Sequence, residues 1–249
     1  MMTTPRSAGS RTADAAARRC AVCGQESRQP LHRPGPPEQA PDLDLRPGEP
    51  MRGTMARWLQ QCPQCGYAAP DITRAHPAAA AVVAAAPFRA LLAEGGHPPL
   101  ARRFLAWACV LEETGALHAA AEATLQAAWV ADDLAQPELA RVWRLDAVAL
   151  WRGGPALDLE QMVRVVDALR RAEAFDDADS AAAELAGTRP PESVAQVVAL
   201  ERRLIAAGDT GRHTVASALP PPSRRPHAAM RGHKPGPGLW ETLKRLFRR

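Results

Sequence analysis

Two short cysteine motifs constrain this chain more than any other feature in it. Cys20-Ala-Val-Cys23-Gly24 and Cys62-Pro-Gln-Cys65-Gly66 are Cys-x-x-Cys-Gly knuckles, with 38 residues between Cys23 and Cys62. The two-residue spacing lets both sulfurs of a pair face one ion, and the glycine permits the positive-φ turn that aims backbone N–H groups at sulfur. Two such turns complete a tetrahedral four-thiolate shell with Zn–S near ~2.3 Å. Four protein ligands leave no open coordination position. The ion expected on Cys20, Cys23, Cys62 and Cys65 is therefore a structural Zn2+, not a catalytic one. Iron also accepts four thiolates. A redox pair would sit ahead of a helix in a βαβ unit, whereas prolines and loops flank these motifs. Disulfides fit poorly with a fifth cysteine and a chain that reads as cytoplasmic. That fifth residue, Cys109, lies in an apolar helical stretch and reads as a small buried hydrophobe.

Around the knuckles, residues 20–70 are rich in proline and poor in periodic apolar positions, so they read as a small zinc ribbon. Thr54–Gln61 is its best strand candidate. Residues 1–19 are small and polar and read as a disordered N-terminus. From about Pro77 the pattern turns helical. The chain is 46% hydrophobic but only 4% aromatic, which favours close-packed alanine-rich helices over a sandwich or barrel. Pro87, Pro98, Pro99, Pro137, Pro190 and Pro191 sit where helices begin. Asp158 with Gln161 suggests a capping box, and Asp176 a similar N-cap. Gly115, Gly153, Gly154 and Gly208 suggest C-terminal caps. Six or seven helices are expected between Pro77 and Leu219. A leucine stands four residues before a turn at Leu111, Leu150, Leu169 and Leu204, and the last two are 35 apart. That interval is near the ~34-residue period of tetratricopeptide helix pairs, so residues 77–219 read as a TPR-like domain. The expected fold is mainly α: a small N-terminal four-cysteine zinc ribbon followed by a TPR-like antiparallel helical array.

Several stretches together carry a resemblance. They are Pro41-Asp-Leu-Asp-Leu-Arg-Pro47, Met55, Trp58, Cys62-Pro-Gln-Cys-Gly-Tyr-Ala68, Ala127-Ala-Trp-Val-Ala-Asp-Asp133, Leu169-Arg-Arg-Ala-Glu-Ala-Phe175 and Gly208-Asp-Thr-Gly-Arg-His-Thr-Val215. Over about Cys20–Leu219 the chain resembles an uncharacterised bacterial family of unknown function, in which an N-terminal zinc ribbon precedes TPR-like helices. The resemblance implies metal binding through Cys20, Cys23, Cys62 and Cys65 and an all-helical body. It implies no established activity.

Other polar residues carry weaker signals. Asp42, Asp44 and Arg46 read as a solvated loop whose Asp and Pro residues set turns. Asp132-Asp133 and Asp176-Asp177 resemble acid pairs at helix ends. His213 follows Gly208-Asp209 with no nucleophile near it in sequence, and reads as a capping or packing residue. Trp107, Trp129, Trp143 and Trp151 read as core, filling volume that alanine leaves. No Gly-rich phosphate loop, Gly-x-Ser-x-Gly elbow or His-Glu-x-x-His stands in the chain.

The net charge of +4 is unevenly placed. Pro221–Arg249 holds eight Lys or Arg against one Glu, a balance of +7, which leaves −3 on residues 1–220. Residues 220–238 form a Pro/Gly-rich linker. In 239–249, Leu239, Trp240, Leu243, Leu246 and Phe247 make one apolar stripe, while Lys244, Arg245, Arg248 and Arg249 take the other face. This basic amphipathic segment is expected to dock on a protein groove, an anionic membrane or the helical body itself. Weak nonspecific contact of the tail with nucleic acid is also expected. The functional expectation is a non-enzymatic, cytoplasmic adaptor or scaffold with a protein partner. A zinc-ribbon nucleic-acid-binding protein is the alternative, with an enzyme using the helical groove behind it.

Overall fold

The computed structural model describes residues 15–219. The expected docking segment 239–249 and its linker lie outside the described residues, as do residues 1–14.

Each knuckle sits at the tip of a small antiparallel hairpin. Strand β1 (Ala15–Arg19) pairs with β2 (Glu26–Pro30), from Ala15 opposite Pro30 to Arg19 opposite Glu26. Strand β3 (Gln60–Gln61) pairs with β4 (Ala68–Ala69). The first pairing corrects the reading of 1–19 as disordered for residues 15–19 alone, since 1–14 lie outside the described residues. Alanine and arginine carry little strand preference, so nothing local announced β1; the turn at Cys20–Gly24 brings its partner alongside. Side-chain amides join the hairpins in place of a continuous ladder. Gln29 donates to the Gln61 carbonyl at 2.8 Å and accepts from the Gln61 N–H at 3.0 Å. Gln60 donates to the Pro30 carbonyl at 3.1 Å and accepts from the Ile72 N–H at the same distance.

The expected strand at Thr54–Gln61 is mostly a 3-10 helix, Arg52–Arg57, with only Gln60–Gln61 extended. Met55 and Leu59 are buried but Arg57 midway between them is exposed, which breaks the alternation a half-buried strand would show. Trp58 Nε1 closes the turn on Thr54 Oγ1 at 2.9 Å.

Among the described residues nine α-helices follow where six or seven were expected: α1 (Ala79–Ala84), α2 (Ala86–Ala93), α3 (Pro99–Glu112), α4 (Leu117–Asp133), α5 (Pro137–Gly153), α6 (Leu159–Arg171), α7 (Phe175–Gly187), α8 (Glu192–Ala206) and α9 (Val215–Ala218). Pro87 divides the alanine run: Ala85 turns extended, at ψ 144, between α1 and α2. Asp158 and Gln161 form the expected reciprocal capping box of α6. Asp176 is not an N-cap. Helix α7 starts at Phe175, so Asp176 and Asp177 lie in its first turn, where carboxylates meet the positive end of the helix dipole.

From α3 to α8 the connections are short, so successive helices return antiparallel and pack on their neighbours. Three of these turns, and the turn that follows α8, share one hydrogen bond. The N–H of Ala116, Gln136, Ala174 and Asp209 donates to the carbonyl five residues earlier, at 2.9–3.0 Å. The residue before each of these donors is left-handed: Gly115, Ala135, Glu173 and Gly208. This is the Schellman closure. Three of the four leucine-before-turn positions belong to it. Leu150 does not, because Gly154 is extended.

Ribbon and helices share their cores. Cys20, Cys62, Tyr67 and Ile72 pack with Val82, Phe88, Ala106 and Val110 of α1, α2 and α3. Leu43, Met55 and Leu59 enter the main core among Phe104, Trp129 and Trp151. Residues 15–219 accordingly belong to one compact unit.

Candidate metal centre

The two hairpin tips face one another and place four sulfurs in one cluster. All ligand atoms of Cys20, Cys23, Cys62 and Cys65 lie within 4.8 Å of one another. The cross-hairpin distances are 3.8 Å between Cys20 and Cys65 and 3.5 Å between Cys23 and Cys62. A tetrahedron with metal–sulfur bonds of ~2.3 Å has edges of ~3.8 Å, so the cluster already has the dimensions of a metal shell.

The knuckles repeat each other atom for atom. Gly24 N–H donates to the Cys20 carbonyl at 2.9 Å, and Gly66 N–H to the Cys62 carbonyl at 3.0 Å. Cys20 N–H donates to Gln25 and Cys62 N–H to Tyr67, both at 2.9 Å. Gly24 and Gly66 have φ of 77° and 76°, a conformation glycine adopts without a Cβ penalty. The turn aims the Gln25 N–H at the Cys23 sulfur and the Tyr67 N–H at the Cys65 sulfur. Such donors stabilise thiolates.

Burial pushes the Cys62 and Cys65 thiols up. Four thiolates this close would also repel one another, and a divalent cation offsets both effects. The donor set and its dimensions therefore fit a metal ion. Cys109 stands apart in α3, where burial and the neighbouring Glu112 hold its thiol up, as expected of an unreactive residue.

The second concentration of charge was not legible in the sequence. Asp42, Asp44 and Arg46 are not solvated; Asp44 is 0% exposed and Arg46 1%. Asp44 accepts from Trp129 Nε1 at 2.7 Å and pairs with Arg171 at 3.4 Å. Arg46 pairs with Asp133, which also takes Arg52 at 2.7 Å, and Arg46 stacks 5.8 Å from the Trp129 ring centre. Asp132 takes Arg144 at 2.5 Å and Arg171 at 2.9 Å. The acid pair at the end of α4 faces the negative end of the helix dipole, an unfavourable place for carboxylates. Burial opposes their ionisation further. Arg144 and Arg171 around Asp132, and Arg46 and Arg52 around Asp133, outweigh both effects and hold these carboxyls below their ordinary range. Asp42 has weaker partners, Arg52 and Arg212 at 3.8 Å each. Burial and the adjacent Asp44 push it up to about 6.

The same loop pairs with the chain's later turn. Leu43 N–H donates to the His213 carbonyl and Val215 N–H to the Pro41 carbonyl, both at 2.9 Å. The His213 ring bonds Asp209 across the turn at 3.0 Å, consistent with a packing role. Behind it Arg170, 0% exposed, binds the carbonyls of Asp209 and Gly211 together with Asp167 and Glu201. One guanidinium neutralises one of two buried carboxylates. Burial first, and Asp167 beside it, push Glu201 up to about 9, so Glu201 keeps its proton at neutral pH.

Four of the resembling stretches thus converge on one buried network. Arg52, Arg144, Asp167 and Glu201 complete it, and sequence reasoning missed them. These four come from four separate elements, and no local pattern marks an arginine that will be buried. No known protein family matches the chain, and no curated protein or solved structure is detectably similar to it. No helix among the described residues is long and apolar enough to cross a membrane.

Proposed function

We propose that this chain is a zinc-stapled protein-interaction module, a non-enzymatic adaptor or scaffold built on a TPR-like helical array. The closed four-thiolate cluster carries this reading. A site with four protein ligands and backbone donors on its sulfurs offers no position to a substrate, so its ion contributes folding energy. Hairpins of five and two residues per strand cannot hold themselves together in water. Zinc on Cys20, Cys23, Cys62 and Cys65 would fix both tips, and through Cys20 and Cys62 the floor beneath α1–α3. The ion network then locks the 41–46 loop to α4, α5 and α6, leaving outward helix faces as the surface for a partner. Membership of the ribbon-plus-helices family rests on the motif residues alone.

The first test is elemental analysis of protein purified without added metal. One zinc per chain is expected, and iron, or less than about half an equivalent of any metal, would overturn the assignment. Cys62→Ser should lose the ion and expose the α1–α2 amides to hydrogen exchange, while α4–α8 stay protected. The adaptor reading is tested by affinity capture from the native host. One protein retained in stoichiometric amount and rebinding after purification is expected; a chain that retains nothing refutes it.

A further inference from the structure

Large hydrophobic side chains left open to solvent are few among the described residues: Leu134, 54% exposed, Val142, 51%, and Leu145, 38%. The last two belong to α5 and share an outward line with Glu138, Ala149 and Arg152, all exposed. The intervals along this line are four, three, four and three residues. That is the spacing of a helix seam that meets another helix. The opposite face of α5 is already used, with Trp143, Ala147, Val148 and Trp151 buried in the main core. Its seam is therefore a second stripe, one that no described residue covers.

The charges on the seam say what covers it. Glu138 closes its N-terminal end and Arg152 its C-terminal end, with Arg141 and Asp146 flanking the apolar middle. Glu138, Asp146 and Arg152 take part in no ion pair or hydrogen bond within the described residues, and Arg141 only donates its Nε to the Ala172 carbonyl at 3.0 Å. A parallel pair of such helices would oppose like charges at both ends. An antiparallel pair about a two-fold axis at Leu145 sets Glu138 level with Arg152 of the partner subunit, twice over. It also sets Arg141 within one turn of Asp146 of the partner subunit. We infer that the outward face of α5 is an isologous interface, on which a second copy of this chain packs antiparallel through Val142, Leu145 and Ala149.

The seam from Glu138 to Arg152 is ~21 Å long at 1.5 Å per residue. Two helices of that length bury less than the ~1,600 Å² of a standard interface, so the dimer is reversible and governed by concentration. The inference extends the interaction-module reading but is tested apart from it, because a strictly monomeric chain would refute the dimer and leave capture of a different partner unaffected.

Sedimentation of the full chain over a concentration series reads the association. A mass rising from one chain to two is expected. Leu145→Asp, on an exposed position that leaves thermal stability unchanged, should weaken association at least ~tenfold, the loss of one central contact. Glu138→Arg and Arg152→Glu should each weaken it singly, and the double variant should restore it, since only an antiparallel self-pairing exchanges those two charges. A single-chain mass at every concentration overturns the inference. So does association that survives Leu145→Asp, or a double charge swap that fails to rescue. Loss of association on deleting residues 220–249 would also overturn it, by making the tail rather than α5 the contact.

Discussion

Replacing Asp44 with Ala tests whether the 41–46 loop is a structural clamp. The carboxylate is fully buried, accepts from Trp129 Nε1 at 2.7 Å and from the Arg46 N–H at 3.2 Å, and faces Arg171 at 3.4 Å. Truncation leaves the buried indole N–H without an acceptor, which costs about 1–3 kcal/mol. It also removes a charge-assisted contact to Arg171, worth about 1.5–3 kcal/mol. The second loss is partial, because Asp132 still holds Arg171 at 2.9 Å. The combined expectation is about 3–5 kcal/mol, the range for breaking a buried pair. For a domain of this size each kcal/mol moves Tm by roughly 2–4 °C, so a fall of about 6–20 °C should appear in thermal unfolding. Asp44→Asn keeps one acceptor oxygen for Trp129 and should lose distinctly less. Hydrogen exchange places the damage: the Leu43 and Val215 amides, which tie this loop to the 213–215 turn, should lose protection first. A loss below about 1 kcal/mol for Asp44→Ala, as for an ordinary surface substitution, would refute the clamp and return the loop to the solvated state its sequence suggests.

Three further outcomes are expected. Glu201 holds a proton in the folded chain up to about pH 9 that the unfolded chain releases near its ordinary value, so this residue erodes stability as pH rises between the two; in Glu201→Gln, Tm relative to the parent should climb from pH 5 to pH 9, and parallel Tm profiles would refute the assignment. Asp158→Ala removes the side-chain acceptor of the Gln161 N–H, one half of the α6 capping box, and should cost ~1 kcal/mol in urea unfolding, and a neutral result would mean that this cap contributes nothing in this context. Gly24→Ala and Gly66→Ala both meet the left-handed penalty, but a Cβ at residue 66 would lie 2.1 Å from Leu92 Cδ1 whereas one at residue 24 meets nothing closer than 3.7 Å; Gly66→Ala should therefore weaken metal retention against a chelator more than Gly24→Ala, and equal retention would show that Leu92 moves aside freely.

What sequence reasoning reached was whatever closes over a few residues. The metal knuckles are two-residue spacings followed by a glycine, and the structure brings their four sulfurs together. Proline starts are equally local, set by the fixed φ of the ring, and the Asp158 box and the turns at Leu111, Leu169 and Leu204 are hydrogen bonds between residues at most five apart. Even here chemistry hid some elements. Ala135 adopts the same left-handed turn as Gly115 without any residue type to announce it, and β1 is a strand of alanine and arginine. Burial of charge lay beyond local reading altogether. Asp44 meets Trp129 and Arg171 across 85 and 127 residues of chain, and a short stretch of Asp and Pro has the same composition whether water or an arginine surrounds it. The ends of α4 and α6 decide which, because packing the helices brings their carboxylates and guanidiniums to one place and excludes the water that would otherwise solvate them.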